Sequence, residues 1–252
     1  MTKVLVTGSA DGIGRETARQ LVAGGHEVTL HARNDVRAEA ALHAVPGAAG
    51  VVVGDLASIE ETRKLAASGT RYDAVVHNAG VAVDGPRVET ADGLELTFQV
   101  NVLAAYLISA LLPRPGRFVF VTSGMADGGR IELDDLQRTR RRWNGTSAYC
   151  DSKLAGLALA YAFARRWPDV ISTAVCPGWV RSRMGGPSAP TDIATGAATQ
   201  AWLAVSDDAA ALRSGGYWRH MRPLPALRGA GDPAVQDGLL AACAGLTGTD
   251  LT

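Results

Sequence analysis

A tyrosine and a lysine stand four positions apart in the segment Tyr149-Cys150-Asp151-Ser152-Lys153. On a helix this spacing puts Tyr149 and Lys153 on one face, where their side chains can meet. A carbonyl that accepts a hydride must also gain a proton, and a phenol with its ordinary pKa of about 10 gives one up reluctantly at neutral pH. An ammonium group about 4 Å away, at an effective dielectric constant near 20, favours the phenolate by about 4 kcal/mol. The pair therefore predicts proton transfer to a carbonyl oxygen, with Lys153 lowering the pKa of Tyr149; taken alone, such a pair is more often structural.

A serine, Ser123, follows a strand-like run over residues 117–122. Open parallel sheets bind ligands at the carboxyl edge of their strands, so the Ser123 hydroxyl could orient a substrate carbonyl toward Tyr149. The alternative is a serine that caps a turn. Residues 124–146 and 185–190 fit no regular element, and long irregular loops usually have a function, so we expect both near the substrate. Apolar residues in or near these loops are the predicted pocket walls, with core packing as the alternative: Met125, Trp143, Trp179 and Met184.

A glycine-rich turn, TGSADGIG, contains Gly8, Gly12 and Gly14 and joins the first predicted strand to the first predicted helix. Glycine lets the backbone turn tightly and approach a pyrophosphate, which the positive end of a helix attracts. Three glycines in a turn are a weak signal alone. Their position between a strand and a helix of a βαβ series strengthens the prediction of a dinucleotide site.

The end of the second predicted strand indicates which dinucleotide binds. An acid there would bind both ribose hydroxyls of NAD, but the sequence reads His31-Ala32-Arg33-Asn34. The guanidinium of Arg33 suits the 2′-phosphate that only NADP carries, so we predict NADP and consider NAD the weaker alternative. A solvated loop arginine is the other interpretation. Asp55, at the end of the third predicted strand, is expected to meet the adenine.

Strand-like and helix-like segments alternate along the chain, which predicts an α/β fold. We expect a single Rossmann-type domain over residues 1–252, a doubly wound parallel sheet of about seven strands with helices on both faces. The predicted strands are 3–6, 27–31, 51–53, 74–77, 117–122, 170–176 and 216–218. The predicted helices are 15–23, 36–44, 59–67, 94–112 and 149–166.

Composition limits the partners and the compartment. The 252 residues carry a formal net charge of zero, so no nucleic-acid partner is expected. The arginines at 138 and 140–142 are diluted by neighbouring acids, which predicts a solvated segment. Three distant cysteines without metal-like spacing predict reduced thiols and no metal site. Neither a signal peptide nor a membrane span is apparent, so we expect a cytoplasmic protein.

Together these motifs resemble the short-chain dehydrogenase/reductase family over about residues 3–218, in the family's order. The resemblance implies that Ser123, Tyr149 and Lys153 are catalytic. It implies that Asn101, in FQVNVLAAYL, helps to hold a proton-relay water near the lysine. His77 replaces the first residue of the family's Asn-Asn-Ala-Gly motif, which puts one local hydrogen bond in doubt.

The same resemblance implies a set of cofactor contacts. Pro177-Gly178 is expected to cover the nicotinamide face, and Ser182 stands where a threonine usually binds the carboxamide. The complete expected set is Gly8, Ser9, Asp11, Gly12, Ile13, Gly14, Arg33, Asp55, Leu56, Asn78, Ala79, Gly80, Tyr149, Lys153, Pro177, Gly178, Val180 and Ser182.

The spacing of Ser123 and Tyr149 is wider than the dozen or so residues usual in the family. The intervening GGRIELDDLQ and the later CPGWVRSRM are similar to the retinol-dehydrogenase-like group and related bacterial ketoreductases, which commonly use NADP. The resemblance therefore implies an NADP(H)-dependent carbonyl reductase or alcohol dehydrogenase that acts on a small molecule, with ketones or aldehydes of secondary metabolism as the expected substrates. No membrane partner is expected. A homodimer or homotetramer is expected from the family, although the apolar run 154–164 could equally pack on its own sheet. The alternatives are a non-catalytic NADP-sensing regulator and an epimerase or dehydratase of nucleotide sugars.

Overall fold

Eight strands form one sheet in the computed structural model, which describes residues 1–67 and 69–251. The order across the sheet is β3-β2-β1-β4-β5-β6-β7-β8; β1 to β7 are parallel and β8 runs antiparallel to β7. The strands are β1 (Lys3–Val6), β2 (Glu27–Ala32), β3 (Gly50–Val53), β4 (Ala74–His77), β5 (Arg117–Val121), β6 (Ile171–Val175), β7 (Tyr217–Arg219) and β8 (Arg222–Pro223). The predicted α/β fold is confirmed. The eighth strand was not predicted, because two residues are too few to show a strand pattern.

Helices flank this sheet. They are α1 (Gly12–Ala23), α2 (Asp35–Ala44), α3 (Ile59–Ala66), α4 (Leu96–Phe98), α5 (Ala104–Leu111), α6 (Gly145–Arg166), α7 (Ile193–Val205) and α8 (Pro233–Thr247). A π-helical stretch, Gln99–Leu103, joins α4 to α5, and a 3-10 helix, Gly124–Gly128, follows β5. The structure corrects two predictions: α6 begins at Gly145 rather than at Tyr149, and α7 and α8 lie in sequence for which no helix was predicted.

The core consists of two apolar layers, one on each face of the sheet, because successive strand side chains point to opposite faces. Leu5 and Val75 pack with residues of α3, α5, α6 and α8. Val4 and Val6 pack on the other face with residues of α1, α2 and α7. Most of the apolar run 154–164 is buried within the first layer, so packing on its own sheet is the alternative that the structure supports.

The parallel register brings the functional segments to one edge of the sheet. Val6 pairs with Val76, His77 with Phe120, and Val121 with Val175. The segments that follow β1, β4, β5 and β6 therefore leave the sheet side by side, at the edge where open α/β sheets bind ligands. Within the part of the chain that the structure describes, none of the helices is long and apolar enough to cross a membrane.

Candidate active site

The glycine loop after β1 has the shape that a dinucleotide cradle needs. Gly8 and Gly12 have left-handed backbones, with φ of 64° and 55°. A Cβ on Gly8 would lie 2.8 Å from Ala79 Cα, whereas a Cβ on Gly12 would enter open space. Gly12 also begins α1, whose amino end carries the partial positive charge. The loop therefore fits a pyrophosphate, with a close approach on the protein side and room on the other.

Hydrogen bonds from β4 hold this loop. Asn78 Nδ2 donates to the carbonyl oxygens of Thr7 and Gly8, at 3.0 and 3.2 Å. The Thr7 hydroxyl accepts hydrogen bonds from the amides of Asn78 and Ala79. From α7, Gln200 Nε2 lies 3.3 Å from Asn78 Oδ1. Asn78 and Ala79 thus support the glycine loop, and Thr7 and Gln200 are support residues that the sequence did not indicate.

A buried histidine on β2 holds the other side of the loop. His31 Nδ1 accepts a hydrogen bond from the Gly8 amide at 2.8 Å, and Nε2 lies 2.9 Å from the Gly54 carbonyl oxygen. Burial lowers the pKa of His31, which keeps the ring neutral and able to accept at Nδ1. The Ser9 hydroxyl is fully buried and accepts from the His31 amide. Ser9 was expected among the cofactor contacts, but its side chain instead joins the loop to β2.

Arginines collect around the far end of the glycine loop. Asp11 caps α1, and Arg183 Nη2 lies 2.7 Å from Asp11 Oδ2. Arg37 and Arg15 approach the same carboxylate at 3.7 and 3.9 Å. Arg33 is exposed just beyond β2. Three guanidinium groups therefore approach one carboxylate here, which gives this cluster a net positive charge.

The serine, tyrosine and lysine predicted from the sequence come together above β5. Ser123 Oγ accepts from the Met125 amide at 3.2 Å and is hydrogen-bonded to the Tyr149 hydroxyl. Lys153 Nζ lies 5.6 Å from the centre of the Tyr149 ring and donates to the Val121 carbonyl oxygen at 3.0 Å. The three groups thus form one constellation at the carboxyl edge of the sheet.

Burial controls the protonation of this constellation. It raises the pKa of Tyr149, and the hydrogen bond from Ser123 opposes that change without reversing it. Burial also lowers the pKa of Lys153 to about 8. The pKa of Tyr149 is thus raised in this structure, where the sequence predicted a lowering by Lys153, and Lys153 is not among the causes of the change. Tyr149 is therefore a neutral phenol at pH 7.

Asn101 lies in the π-helical stretch next to Lys153. Its side chain donates to the Val81 carbonyl oxygen at 2.9 Å and accepts from the Val81 amide at 2.7 Å. Asn101 Nδ2 also lies 2.9 Å from Ser152 Oγ. A cavity of about 10 Å³, lined by Asn101, Ser152 and Lys153 among others, has room for about one water molecule. Asn101 therefore fixes the segment after β4 and borders a space suited to the expected relay water.

His77, which replaces an asparagine of the family motif, is buried at the end of β4. Its Nε2 lies 2.9 Å from Ser109 Oγ, and that hydroxyl donates to the Ala105 carbonyl oxygen, so the proton is assigned to Nε2. The ring packs against Phe120 with centroids 4.7 Å apart. Burial lowers the pKa of His77 to about 3. The hydrogen bond that the substitution put in doubt is replaced by one to α5.

The predicted substrate residues are found on two segments. Met125 is adjacent to Ser123 and is 45 % exposed, while Trp179 and Met184 after β6 are each 57 % exposed. Trp143 is half-buried, and its Nε1 donates to the Gly85 carbonyl oxygen at 2.9 Å. The three exposed side chains are available to an apolar ligand, whereas Trp143 also joins the segment before α6 to the segment after β4.

The remaining expected cofactor contacts differ in whether the side chain or only the backbone is available to a ligand. Gly80 approaches Lys153, because an added Cβ would lie 3.1 Å from Nζ, and Gly178 has a φ of 88°. The Ser182 hydroxyl accepts from the Gly185 amide at 3.2 Å and keeps its own proton to donate. Leu56 and Val180 have buried side chains, so their expected contacts would have to come from the backbone. Ile13, Asp55 and Pro177 lie in the segments after β1, β3 and β6, as expected.

Comparison with known proteins agrees with this geometry. The family model described as short chain dehydrogenase matches residues 2–192. The short-chain dehydrogenase chyC of Penicillium rubens is 40 % identical over 262 residues, covering 100 % of this chain and 99 % of that protein. This chain belongs to the short-chain dehydrogenase family. Members of the family are oxidoreductases that use NAD(P), so the predicted family and enzyme class are confirmed.

Other members of the short-chain dehydrogenase family are similar over most of the chain. A Streptomyces protein, DnrU, whose name proposes daunorubicin C-13 ketoreductase activity, is 36 % identical over 243 residues, covering 88 % of this chain and 84 % of its own. Human retinol dehydrogenase 13 is 34 % identical over 199 residues, covering 72 % and 60 %. A crystal structure of an uncharacterized protein from Mycobacterium paratuberculosis superposes with a TM-score of 0.88 at 28 % identity, covering 100 % and 95 %.

Proposed function

We propose that this chain is an NADP(H)-dependent carbonyl reductase that uses Ser123, Tyr149 and Lys153. The observation that carries the proposal is the placement of Lys153 Nζ 5.6 Å from the ring centre of the half-buried Tyr149, with Ser123 beside the same side chain. A neutral phenol is the form that can give a proton to a carbonyl oxygen. The chemistry that fits best is therefore reduction of a ketone or aldehyde.

Each of the three residues has a distinct part in that reaction. A bound nicotinamide supplies the hydride. Ser123 and Tyr149 would both hydrogen-bond the carbonyl oxygen, which fixes its orientation, and Tyr149 would transfer its proton as negative charge develops there. The Lys153 ammonium would then stabilise the resulting phenolate. With a pKa of about 8, Lys153 remains mostly protonated at neutral pH.

The preference for NADP is supported by the charges beside the glycine loop. Arg33 is exposed after β2, and Arg37 and Arg15 approach Asp11 at 3.7 and 3.9 Å. The excess of guanidinium over carboxylate favours the dianionic 2′-phosphate over a bare ribose. Arg33 is exposed directly beyond the end of β2 and is the proposed phosphate ligand.

An apolar ketone is the proposed substrate. Met125, Trp179 and Met184 expose large apolar surfaces beside the Ser123 segment and the loop after β6. Exposed apolar side chains around a site usually mark a surface that binds an apolar partner. The name of DnrU proposes the reduction of a ketone. We therefore extend the proposal to aromatic or polycyclic ketones of secondary metabolism.

The activity is tested by NADPH oxidation over a panel of aromatic and aliphatic ketones, aldehydes and quinones. Wild type is compared with Tyr149→Phe and with Tyr161→Phe, a matched change three turns farther along α6. We expect turnover by wild type and Tyr161→Phe, and a loss of at least about a hundredfold in Tyr149→Phe because general acid catalysis is removed. Equal rates in wild type and Tyr149→Phe would exclude Tyr149 as the proton donor.

Cofactor preference is tested by binding, without any substrate. Titration with 2′,5′-ADP and with 5′-AMP isolates the contribution of the 2′-phosphate. Arg33→Ala should weaken 2′,5′-ADP binding by about ten- to a hundredfold, because a charged hydrogen bond contributes about 1.5–3 kcal/mol. The affinity for 5′-AMP should stay the same. Equal affinities of wild type for the two ligands would contradict the NADP preference.

A regulator that senses NADP without catalysis is the alternative on the same fold. Such a protein does not need a tyrosine hydrogen-bonded to a serine beside a buried lysine, and this chain keeps all three groups. Tight NADPH binding without turnover of any member of the panel would favour the regulator.

A further inference from the structure

The arginine-rich run before α6 is solvated only in part: Arg140 and Arg142 are exposed, but the prediction of a solvated segment is wrong for Arg138 and Arg141. Arg138 Nη1 lies 2.5 Å from Asp151 Oδ2, and the two side chains are only 10 % and 13 % exposed. Arg141 Nη1 reaches the same oxygen at 3.3 Å. The Arg130 amide donates to Asp151 Oδ1 at 2.8 Å. Three points of the segment thus converge on one carboxylate of α6.

A second acid organises the segment internally. Asp135 accepts hydrogen bonds from the amides of Thr139, Arg140 and Arg141 and from Arg141 Nε at 2.8 Å. Burial by itself would raise the pKa of Asp135, but these hydrogen bonds hold it well below its usual range. Arg141 therefore connects two carboxylates, and the buried charges of Arg138, Arg141, Asp135 and Asp151 balance.

The backbone at Arg138 is strained in a way that the ion pair explains. Its φ of 52° is left-handed, a conformation that is unfavourable for a residue other than glycine. Such a conformation persists where surrounding contacts determine it. Here the left-handed turn directs the Arg138 guanidinium at Asp151. In the neighbouring ion pair, Arg140 Nη1 lies 2.6 Å from Asp134 Oδ2, but the two side chains are 68 % and 70 % exposed. This pair is therefore an exposed control for the buried pair of Arg138 and Asp151.

The position of Asp151 connects this network to the proposed chemistry. Asp151 is two residues from both Tyr149 and Lys153 on α6, hence about 200° around the helix from each. The network therefore contacts one face of α6, and Tyr149 and Lys153 lie on the opposite face of the same helical turn. The segment it holds runs from the 3-10 helix that contains Met125 to Trp143, two of the predicted pocket residues.

We propose that Asp151 is a positioning residue that fastens residues 129–143 to α6 through Arg138 and Arg141, and so fixes one wall of the substrate site. This inference rests on the proposed carbonyl reductase activity. Asp151 itself faces away from the reacting atoms. Its effect reaches the substrate through the segment that it holds.

Limited trypsin digestion of the folded chain tests the attachment directly, since residues 129–143 offer five arginines. In wild type, Arg138 and Arg141 are held in ion pairs, and cleavage within the segment should be slow. Asp151→Asn should speed that cleavage by about tenfold or more, because loss of one partner from a buried ion pair is strongly destabilising. Arg140→Gln, which removes only an exposed pair, should leave cleavage at the remaining arginines unchanged. Asp151→Glu should restore part of the protection.

Steady-state kinetics with the best ketone tests the effect on the substrate. Asp151→Asn should raise KM by about tenfold with a smaller change in kcat, because the wall of the site is displaced while the reacting groups remain. The affinity for 2′,5′-ADP should be unchanged, since the cofactor loops are not part of the network. If Asp151→Asn does not fold, Arg141→Gln keeps the Arg138–Asp151 pair and should show the same pattern at smaller amplitude.

The outcomes separate this inference from the proposed function. A folded Asp151→Asn protein with wild-type cleavage would refute the attachment, and increased cleavage with an unchanged KM would refute the positioning role. A wild-type protein that reduces no ketone would refute the proposed function. The contrast in cleavage between Asp151→Asn and Arg140→Gln would still decide whether Asp151 fastens the segment.

Discussion

His77 makes the stability of this protein depend on pH in a way that one substitution can isolate. In the folded chain the pKa of His77 is lowered to about 3 because burial disfavours the imidazolium. In the unfolded chain the imidazole is hydrated and takes up its proton near the ordinary pKa of 6.5. Between these two values the unfolded state binds more protons than the folded state. The free energy of unfolding therefore falls as the pH falls below 6.5.

The size of this effect follows from the pKa difference. Each pH unit within the window costs about 1.4 kcal/mol. From pH 6.5 to pH 4.5 His77 thus removes about 3 kcal/mol of stability, and the whole window is of the order of 5 kcal/mol. That is a large part of the 5–15 kcal/mol typical of a folded domain, so acid should unfold the wild type readily.

The assay is urea unfolding of wild type and His77→Asn at several pH values between 4.5 and 7.5. At pH 7 the variant should be the less stable protein, because it loses the packing of the ring against Phe120. Toward pH 4.5 wild type should lose about 3 kcal/mol more than the variant. His26 and His31, whose pKa values burial also lowers, are present in both proteins and cancel in the difference.

His43→Asn, a change at an exposed helical position, is the matched control and should not alter the slope. The reasoning concerns the slope and not the stability at any one pH. A difference between wild type and His77→Asn that stays constant from pH 4.5 to pH 7.5 would show that His77 does not remain neutral in the folded state.

Three further predictions concern the candidate site. The reductive kcat/KM should fall as the pH rises above about 8, where Lys153 loses its proton, and a profile flat to pH 9.5 would contradict that role. Gly14→Ala should abolish binding of 2′,5′-ADP in a titration, because its Cβ would overlap Asn78 Nδ2; unchanged affinity would show that the loop tolerates the methyl group. Asn101→Ala should lower the free energy of unfolding by about 1–3 kcal/mol, since the amide and carbonyl of Val81 lose their partner. A loss below about 0.5 kcal/mol in urea unfolding would mean that other groups replace Asn101.

Local sequence patterns were sufficient for the parts of the molecule whose signals are local. The four-residue spacing of Tyr149 and Lys153 determines that they share a helix face. The glycines of the TGSADGIG turn indicate a backbone that other residues rarely adopt, and Gly8 and Gly12 do have left-handed φ values. The alternation of strand-like and helix-like segments determined the α/β class and seven of the eight strands.

The helices near the carboxyl end were missed because their local signal is weak. Helix α7 is IATGAATQAWLAV and α8 is PAVQDGLLAACAGLT, and both are rich in small residues. Such sequences lack a clear division into an apolar and a polar face, which is the pattern that reveals a helix. Each helix begins at an aspartate cap, Asp192 or Asp232. A cap alone does not stabilise a helix of this length in water, so both helices depend on packing against the rest of the fold.

Contacts between distant segments were decided only by the tertiary structure. The support of the glycine loop by His31 joins residues 23 positions apart, and the pairing of Arg138 with Asp151 buries one arginine of a run that the sequence presents as solvated. The protonation of Tyr149 likewise depends on how much water the fold removes around it. The sequence by itself determined which residues could do chemistry and on which elements they lie, because spacing along a helix or strand is a local property. Burial and long-range partners set their pKa values and orientations, and these arise only when the whole chain has packed.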